Sequence, residues 1–179
     1  GGDPSAAIQD FEKALTINPR DVPTLIAKAQ ALELIGDKKG ALADLDKALN
    51  IDKGLQLAYH RRASIYAELG QFYQAISDST TSISLAPRNI DSYNQRAKLY
   101  EKMSQTNDAI NDYSTIIKLY PLNSAAYYQR GRLREKIEQL ESALKDYDKS
   151  LEVNPEQPSV LNDRGLLRES LGENDKALQ

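Results

Sequence analysis

The segment ALTINP at residues 14–19 returns, with substitutions, every 34 residues along the chain. Its later copies are ALNIDK at 48–53, SISLAP at 82–87, IIKLYP at 116–121 and SLEVNP at 150–155. A fixed period of about 20 to 50 residues is the signature of stacked repeats, because one short unit cannot bury its own apolar face. The sequence therefore predicts a repeat architecture with neighbouring units packed on each other.

Two slots in the period accept only small residues. One always holds alanine, and the other holds alanine or glycine; the two series are Ala7, Ala41, Ala75, Ala109, Ala143 and Ala177, and Ala29, Ala63, Ala97, Gly131 and Gly165. Side chains this small predict that two helices approach closely at these slots. Apolar residues between the anchors follow helical spacing, so each unit is predicted to be two short amphipathic helices.

Glycine and proline mark the ends of these helices. Glycine lies between the two helices of a unit at Gly36, Gly70 and Gly172, where it can adopt the left-handed conformation that ends a helix. Ser104 and Glu138 take that place in two other units. Proline ends the second helix at Pro87, Pro121 and Pro155. Asp21 and Asn123 stand where they can cap the following helix.

The pattern predicts a single array with four full repeats. They span 22–55, 56–89, 90–123 and 124–157, preceded by a second helix alone in 1–21 and followed by a partial repeat in 158–179. The predicted helices are 4–17, 22–35, 38–51, 56–69, 72–85, 90–103, 106–119, 124–137, 140–153 and 158–171, with another from about 174. Because the array starts and stops inside a repeat, we expect a piece of a longer protein.

The helical hairpin resembles the tetratricopeptide repeat family. The resemblance rests on the aromatic Tyr59, Tyr93 and Tyr127, the small residue four positions later, the second-helix alanine and the closing proline. It implies an all-α fold, an α-solenoid of antiparallel helix pairs wound into a right-handed superhelix. It also implies a concave groove lined by the first helices, and a role in holding partner proteins.

Composition excludes several other functions. The chain has 23 Lys+Arg against 26 Asp+Glu, a net charge of -3, which disfavours nucleic-acid binding, and no stretch predicts membrane insertion. It has no cysteine and one histidine, so disulfides, zinc sites and the usual nucleophile–histidine catalysis lack their parts. We therefore predict no catalysis and no cofactor. The compartment stays open, with an intracellular one favoured.

A ladder of opposite charges also follows the period. The cations are Lys28, Arg62, Arg96, Arg130 and Arg164, and the anions are Asp10, Asp44, Asp78, Asp112 and Asp146. Across the hairpin Arg62 lies level with Asp78, and across the next turn Asp78 lies level with Arg96. We favour pairing within a repeat and a structural role for the ladder.

The family geometry places a set of polar side chains on the groove face. The predicted partner-binding residues are His60, Arg61, Asn94, Gln95, Lys98, Tyr128, Gln129, Arg132 and Asn162. Their amides can hydrogen-bond an extended peptide backbone, and Arg61, Lys98 and Arg132 would favour acidic ligands. The alternative is a polar face that contacts only solvent.

Some tetratricopeptide proteins bind acidic chaperone tails through a clamp of Lys, Asn, Asn, Lys and Arg on three first helices. No window of this sequence matches; one window reads Asn94, Lys98, Gln129, Ser159 and Asp163. We therefore predict that the partner is not a chaperone tail held by such a clamp.

The sequence favours a scaffold that binds an extended peptide or a helix of a partner protein. One alternative is the substrate-recognition arm of a larger enzyme, suggested by a similarity to the amide-lined groove of O-linked N-acetylglucosamine transferases. Another is a structural repeat that self-associates through its truncated ends. RNA binding is the weakest alternative, because the chain is net acidic.

Overall fold

The computed structural model describes residues 3–172, and in that range it contains ten α-helices and no strand. They are α1 (Pro4–Ile17), α2 (Val22–Leu34), α3 (Lys38–Ile51), α4 (Gln56–Glu68), α5 (Phe72–Leu85), α6 (Ile90–Lys102), α7 (Thr106–Leu119), α8 (Ser124–Lys136), α9 (Leu140–Val153) and α10 (Pro158–Ser170). Every predicted boundary in this range is met to within one residue. Ala177 and the helix predicted from about 174 lie outside the described residues.

Side-chain caps fix several helix starts as predicted. The Asp21 carboxylate accepts from the Thr24 backbone N–H at 3.0 Å, and the Asn123 side chain accepts from the Ala126 N–H at 2.9 Å. Each bond satisfies one of the backbone donors that a helix leaves unpaired at its start. The two caps place α2 and α8 at the expected residues.

The turns between paired helices share one backbone geometry, whatever residue occupies them. Gly70 has φ +73°, and Ser104 and Glu138 reach the same left-handed region at φ 58° and 61°. In the turn at Ser104 the Gln105 N–H donates to the Tyr100 carbonyl at 2.8 Å, as the Gln71 N–H does to Tyr66. This bond to the carbonyl five residues back is the helix-ending motif that usually recruits glycine. The motif is therefore kept without glycine in two turns.

The helices form two compact units, one ending at Ser92 and one beginning at Tyr93. The core of unit 1 is built from α2 to α4 and comprises Ala29, Leu32, Ala41, Leu45, Leu49, Ala58 and Ile65. In unit 2, one core joins α9 to α10 and comprises Ala143, Tyr147, Leu151, Val160 and Leu167. The division into one array with the repeat boundaries given above stays a prediction.

The small-residue slots lie where helices meet. Ala29, Ala63 and Ala97 are fully buried. At Gly131 a Cβ atom would lie 2.7 Å from Cε1 of the Tyr147 ring and 3.3 Å from the Asp146 Cβ. The backbone of α8 thus touches side chains of α9, as the predicted close approach requires.

Candidate partner-binding face

The nine predicted partner-binding residues all lie on first helices of the helix pairs. In unit 1 these helices are α2 and α4, and in unit 2 they are α8, α10 and the larger part of α6. His60 and Arg61 lie on α4, and the other seven predicted residues lie in unit 2. Of the nine, Lys98, Arg132 and Asn162 are exposed, and the remaining six are half-buried.

Three arginines of the charge ladder bond within their own helix pair, as predicted. Arg62 donates to both carboxylate oxygens of Asp78 at 2.7 Å, from Nε and from Nη2. The same two-bond geometry joins Arg96 to Asp112 and Arg130 to Asp146. Such bidentate, charge-assisted bonds are the strongest that arginine makes.

Three of the ladder cations also contact an acidic side chain of the preceding helix pair. Arg62 Nη1 donates to Asp46 at 2.6 Å, Arg164 Nη1 donates to Asp148 at 2.9 Å, and Lys28 lies 3.4 Å from Glu12. The sequence analysis missed these partners, although each lies 16 residues before its cation, just as Asp78 lies 16 residues after Arg62. The Asp78 hydrogen bonds are the main cause of a raised Arg62 pKa.

This geometry assigns the ladder a structural role. The carboxylates of Asp44, Asp78, Asp112 and Asp146 are buried, with at most 5% of each residue exposed. A buried charge is stable only when it is paired and hydrogen-bonded, and these groups are. Through Lys28, Arg62 and Arg164 the ladder also joins consecutive helix pairs.

Three acidic side chains on the first helices of unit 2 are bonded to tyrosine hydroxyls. Tyr113 donates to Glu101 at 3.0 Å, Tyr147 donates to Glu135 at 2.6 Å, and Tyr128 donates to Asp163 at 2.9 Å; the three pairs join α7 to α6, α9 to α8 and α8 to α10. Burial is the largest cause of the raised tyrosine pKa values, and the acidic neighbours add to it. Their carboxylates are therefore already hydrogen-bonded inside the protein.

The sequence analysis missed Glu101 and Glu135. The available signal was that they lie 34 residues apart and that each is followed by tyrosine 12 residues later. The chain reverses direction between the two helices of a pair, so the tyrosine on the second helix lies beside the glutamate on the first helix.

The cations on the same face of unit 2 remain accessible. Lys98 and Lys136 are exposed. The exposed Arg132 guanidinium lies 5.8 Å from the Tyr128 ring centre and donates to the Gln129 side-chain oxygen at 3.2 Å. A guanidinium has five N–H donors, and the bond to Gln129 uses only one of them. Unit 2 therefore presents positive charge on its first helices.

In unit 1 the predicted partner-binding cation, Arg61, already contacts other side chains of the protein. Arg61 donates to the Gln30 side-chain oxygen from Nε at 3.1 Å and from Nη2 at 2.8 Å, in the amide orientation that satisfies both groups. Its Nη1 lies 3.8 Å from Glu33. The neighbouring His60 is half-buried, and burial lowers its pKa. Arg61 thus bridges α4 to α2.

A cavity of about 430 Å³ lies beside this bridge, and we call it the α2–α4 cavity. It is lined by Gln30, Glu33, Leu34, Lys38, Arg61, Ile65 and Glu68.

Within residues 3–172, no group of three or more acidic or histidine side chains is arranged to hold a metal ion. The same part of the chain contains no helix with the length and apolarity needed to cross a bilayer.

Family models described as "Tetratricopeptide repeat" match residues 1–21 and 57–89, and again 94–149 and 128–179. Together these segments cover well over half of the chain. The chain belongs to the tetratricopeptide repeat family. No curated protein matches it significantly.

Solved structures of this family share the fold. MamA is 27% identical, with a TM-score of 0.80 over 86% of this chain and 90% of that one. YrrB, described as a TPR protein with an unusual peptide-binding site, is 23% identical, with a TM-score of 0.76 over 94% and 87%. The first TPR of Spaghetti, bound to the HSP90 peptide SRMEEVD, is 26% identical, with a TM-score of 0.60 over 65% and 93%. The predicted all-α tetratricopeptide fold class is confirmed.

Proposed function

We propose that this protein is a non-catalytic interaction module that binds an extended, acidic segment of a partner protein on the first helices of unit 2. The binding residues are Asn94, Gln95, Lys98, Tyr128, Gln129, Arg132 and Asn162. Similar tetratricopeptide structures that hold or are described as binding peptides support this general role.

One observation carries the preference for acidic segments. The carboxylates Glu101, Glu135 and Asp163 accept hydrogen bonds from tyrosines, whereas Lys98 and Arg132 are exposed. A ligand carboxylate can therefore pair with these cations without competition from neighbouring acids. Amide side chains beside the cations supply a donor and an acceptor to the peptide backbone, whatever the ligand sequence.

The test is a fluorescence-anisotropy titration with a labelled eight-residue peptide of alternating Asp and Glu. We expect saturable binding that weakens as salt rises, because exposed charges are screened within about 10 Å at 0.1 M salt. The double variant Lys98→Ala/Arg132→Ala should weaken binding about five- to thirtyfold, since each lost charge contact is worth roughly 0.5–1 kcal/mol.

The matched control is Lys118→Ala/Lys145→Ala, which removes the same charge from exposed positions on the second helices α7 and α9. It should bind the peptide as the wild type does. Equal weakening in both double variants would mean that net charge alone attracts the peptide, and the proposal would be wrong. Static light scattering of the same samples at rising concentration distinguishes peptide binding from the self-association alternative.

A further inference from the structure

Two first helices of unit 2 each carry two cations on one face. Lys98 and Lys102 lie four residues apart on α6, and Arg132 and Lys136 lie four residues apart on α8. All four residues are exposed, and we call them the cation quartet. Residues at this spacing are neighbours on the helix surface. The same positions of α2, α4 and α10 hold no cation, so the doubling is confined to α6 and α8.

Helix stability accounts for only one member of each pair. The helix dipole favours a cation in the last turn, which explains Lys102 and Lys136. A second cation four residues earlier repels the first, and like charges at this spacing destabilise a helix. Lys98 and Arg132 therefore add a local repulsion that a bound anion would remove.

The two pairs of cations lie close to each other. Burial raises the Tyr113 pKa most, Glu101 raises it further, and the nearby Arg132 lowers it. Because Tyr113 donates to Glu101 at 3.0 Å, Arg132 of α8 lies near the part of α6 that carries Lys98 and Lys102. Packed helices have axes about 8–10 Å apart, and one helix turn rises about 5.4 Å. The long side chains of all four cations can therefore reach one ligand group.

The balance of charge at the quartet fits a doubly charged anion. Glu101 and Glu135 are interleaved with the quartet on α6 and α8, and each accepts a hydrogen bond from a tyrosine hydroxyl. Four cations beside two carboxylates leave two positive charges in excess. A ligand carboxylate would neutralise one of them, whereas a phosphoryl group carries a charge of about −1.5 to −2 at pH 7 and has three acceptor oxygens.

We propose that the acidic partner segment carries a phosphoserine or phosphothreonine, and that the cation quartet binds its phosphoryl group. Arg132 can pair with two phosphate oxygens through its planar guanidinium, and the three lysines surround the group as point charges. Asn94 and Gln129 lie on the same two helices and can hydrogen-bond the flanking peptide backbone. The inference rests on the proposed function, because the phosphorylated residue belongs to the same partner segment.

The charge of the whole chain favours a single phosphoryl group over a polyanion. The chain has a net charge of -3, so the positive charge of the quartet is local. A nucleic acid or an anionic bilayer spreads its charges over a wide area and would also meet the acidic remainder of the chain. A phosphorylated peptide places its charge at one point.

The test is a fluorescence-anisotropy titration with the labelled acidic peptide in two forms. One form has phosphoserine at a central position; the other has glutamate there and one further glutamate at its end, so that the total charges match. At about pH 7.5 the phosphate monoester is mostly a dianion, because its second pKa is about 6. We expect the phosphoserine peptide to bind about five- to thirtyfold more tightly than the charge-matched peptide.

Two double variants identify the cations responsible. Lys102→Gln/Lys136→Gln should reduce the ratio of the two affinities to within about twofold, because each helix then offers one cation to either peptide. The control Lys118→Gln/Lys145→Gln removes the same charge from exposed positions on α7 and α9, and it should keep the wild-type ratio. All four substituted lysines are exposed, so both variants should fold.

Equal affinity of the wild type for the two peptides would overturn this inference and leave the proposed function intact. A preference for phosphoserine that survives Lys102→Gln/Lys136→Gln would also overturn it. If neither peptide binds, the proposed function fails as well. If only the phosphoserine peptide binds, the inference holds and the general preference for acidic segments is wrong.

A last arm replaces the peptide by vesicles of phosphatidylcholine and phosphatidylserine, or by a single-stranded RNA. We expect binding to both to be weaker than to the phosphoserine peptide. Tighter binding to either one that is lost in Lys102→Gln/Lys136→Gln would overturn the phosphorylated peptide as the occupant of the quartet.

Discussion

At the scale of single residues, one arginine is bonded both to a buried aspartate and to an exposed one. Arg62 bonds to Asp78, of which 7% of the side chain is exposed, and to Asp46, of which 49% is exposed. Ion-pair strength depends on whether the partner that remains is surrounded by water or by protein. The two aspartates are therefore matched probes of the same guanidinium.

We expect Asp78→Ala to lower the free energy of unfolding by about 3 to 5 kcal/mol, because it leaves a partly buried arginine without its bidentate partner. Asp46→Ala should cost about 0 to 1 kcal/mol. Urea unfolding followed by circular dichroism measures both. A thermal melt of Asp78→Ala that coincides with the wild type would show that the ladder contributes little.

Glu33 predicts a pH effect on stability. Burial raises its pKa in the folded state, so its carboxylate destabilises the fold above the folded pKa, and protonation removes this penalty as the pH falls. Glu33→Gln should therefore be more stable than the wild type at pH 7, with the difference shrinking as the pH falls through the Glu33 pKa. Urea midpoints between pH 4 and 7, chosen around the reference carboxyl values, test this; a constant difference would contradict it.

At the scale of helices and turns, the left-handed turn residues show how far tertiary structure overrides local preference. Ser104 and Glu138 adopt the conformation that glycine adopts at Gly70. A non-glycine residue in this region costs about 1–2 kcal/mol, which the packing of the adjoining helices offsets. The 34-residue period identified these turns because the adjoining helices keep the same lengths and the same positions within the repeat.

Substitution in these turns should have opposite signs. Glu138→Gly should raise the free energy of unfolding by up to about 1 kcal/mol, since relief of the strained φ exceeds the added freedom of the unfolded chain. Gly70→Ala should lower it by about 1 kcal/mol, although a Cβ there meets no atom within 4 Å. Calorimetric melting of the two variants checks the signs, and equal destabilisation would refute a conformational cause.

The contact between α8 and α9 provides a second prediction at this scale. Gly131→Ala would push a methyl group into the Tyr147 ring, at a cost of about 1–3 kcal/mol that exceeds the roughly 1 kcal/mol gained in helix propensity. We expect a net destabilisation. In a Tyr147→Leu background the same change should become neutral or stabilising, as the buried Ala29 and Leu45 in the equivalent slots indicate. A double-mutant cycle with no coupling energy would contradict this contact.

At the scale of the whole molecule, family membership does not specify the ligand. The structure of Spaghetti shows one family member holding the HSP90 peptide SRMEEVD, and that structure covers 65% of this chain. The clamp positions on which the family's chaperone-binding members depend are not reproduced here. The likeness of the fold therefore leaves the partner to be determined by the side chains.

We expect the peptide SRMEEVD to bind this protein weakly or not at all by isothermal titration calorimetry. In the window that reads Asn94, Lys98, Gln129, Ser159 and Asp163, the last two slots require Lys and Arg but hold Ser and Asp, so the two C-terminal carboxylates of the peptide lack these cations. The same peptide with an amidated C-terminus serves as the control. A low-micromolar dissociation constant that is lost on amidation would show that a clamp exists after all.

The sequence alone determined the helices, their boundaries, the turns, the same-pair arginine ladder and the family. It could do so because these features repeat at a fixed spacing, and a hairpin of constant length places residues 16 apart at the same height. Only the tertiary structure decided which charges are available to a partner. Arg61 is engaged because Gln30 of α2 lies beside it, whereas Arg132 stays exposed. Glu33 lacks the hydroxyl that Glu101 receives because Leu45 replaces tyrosine on a neighbouring helix. Availability depends on which side chains meet in space, and a pattern read along one helix does not contain that information.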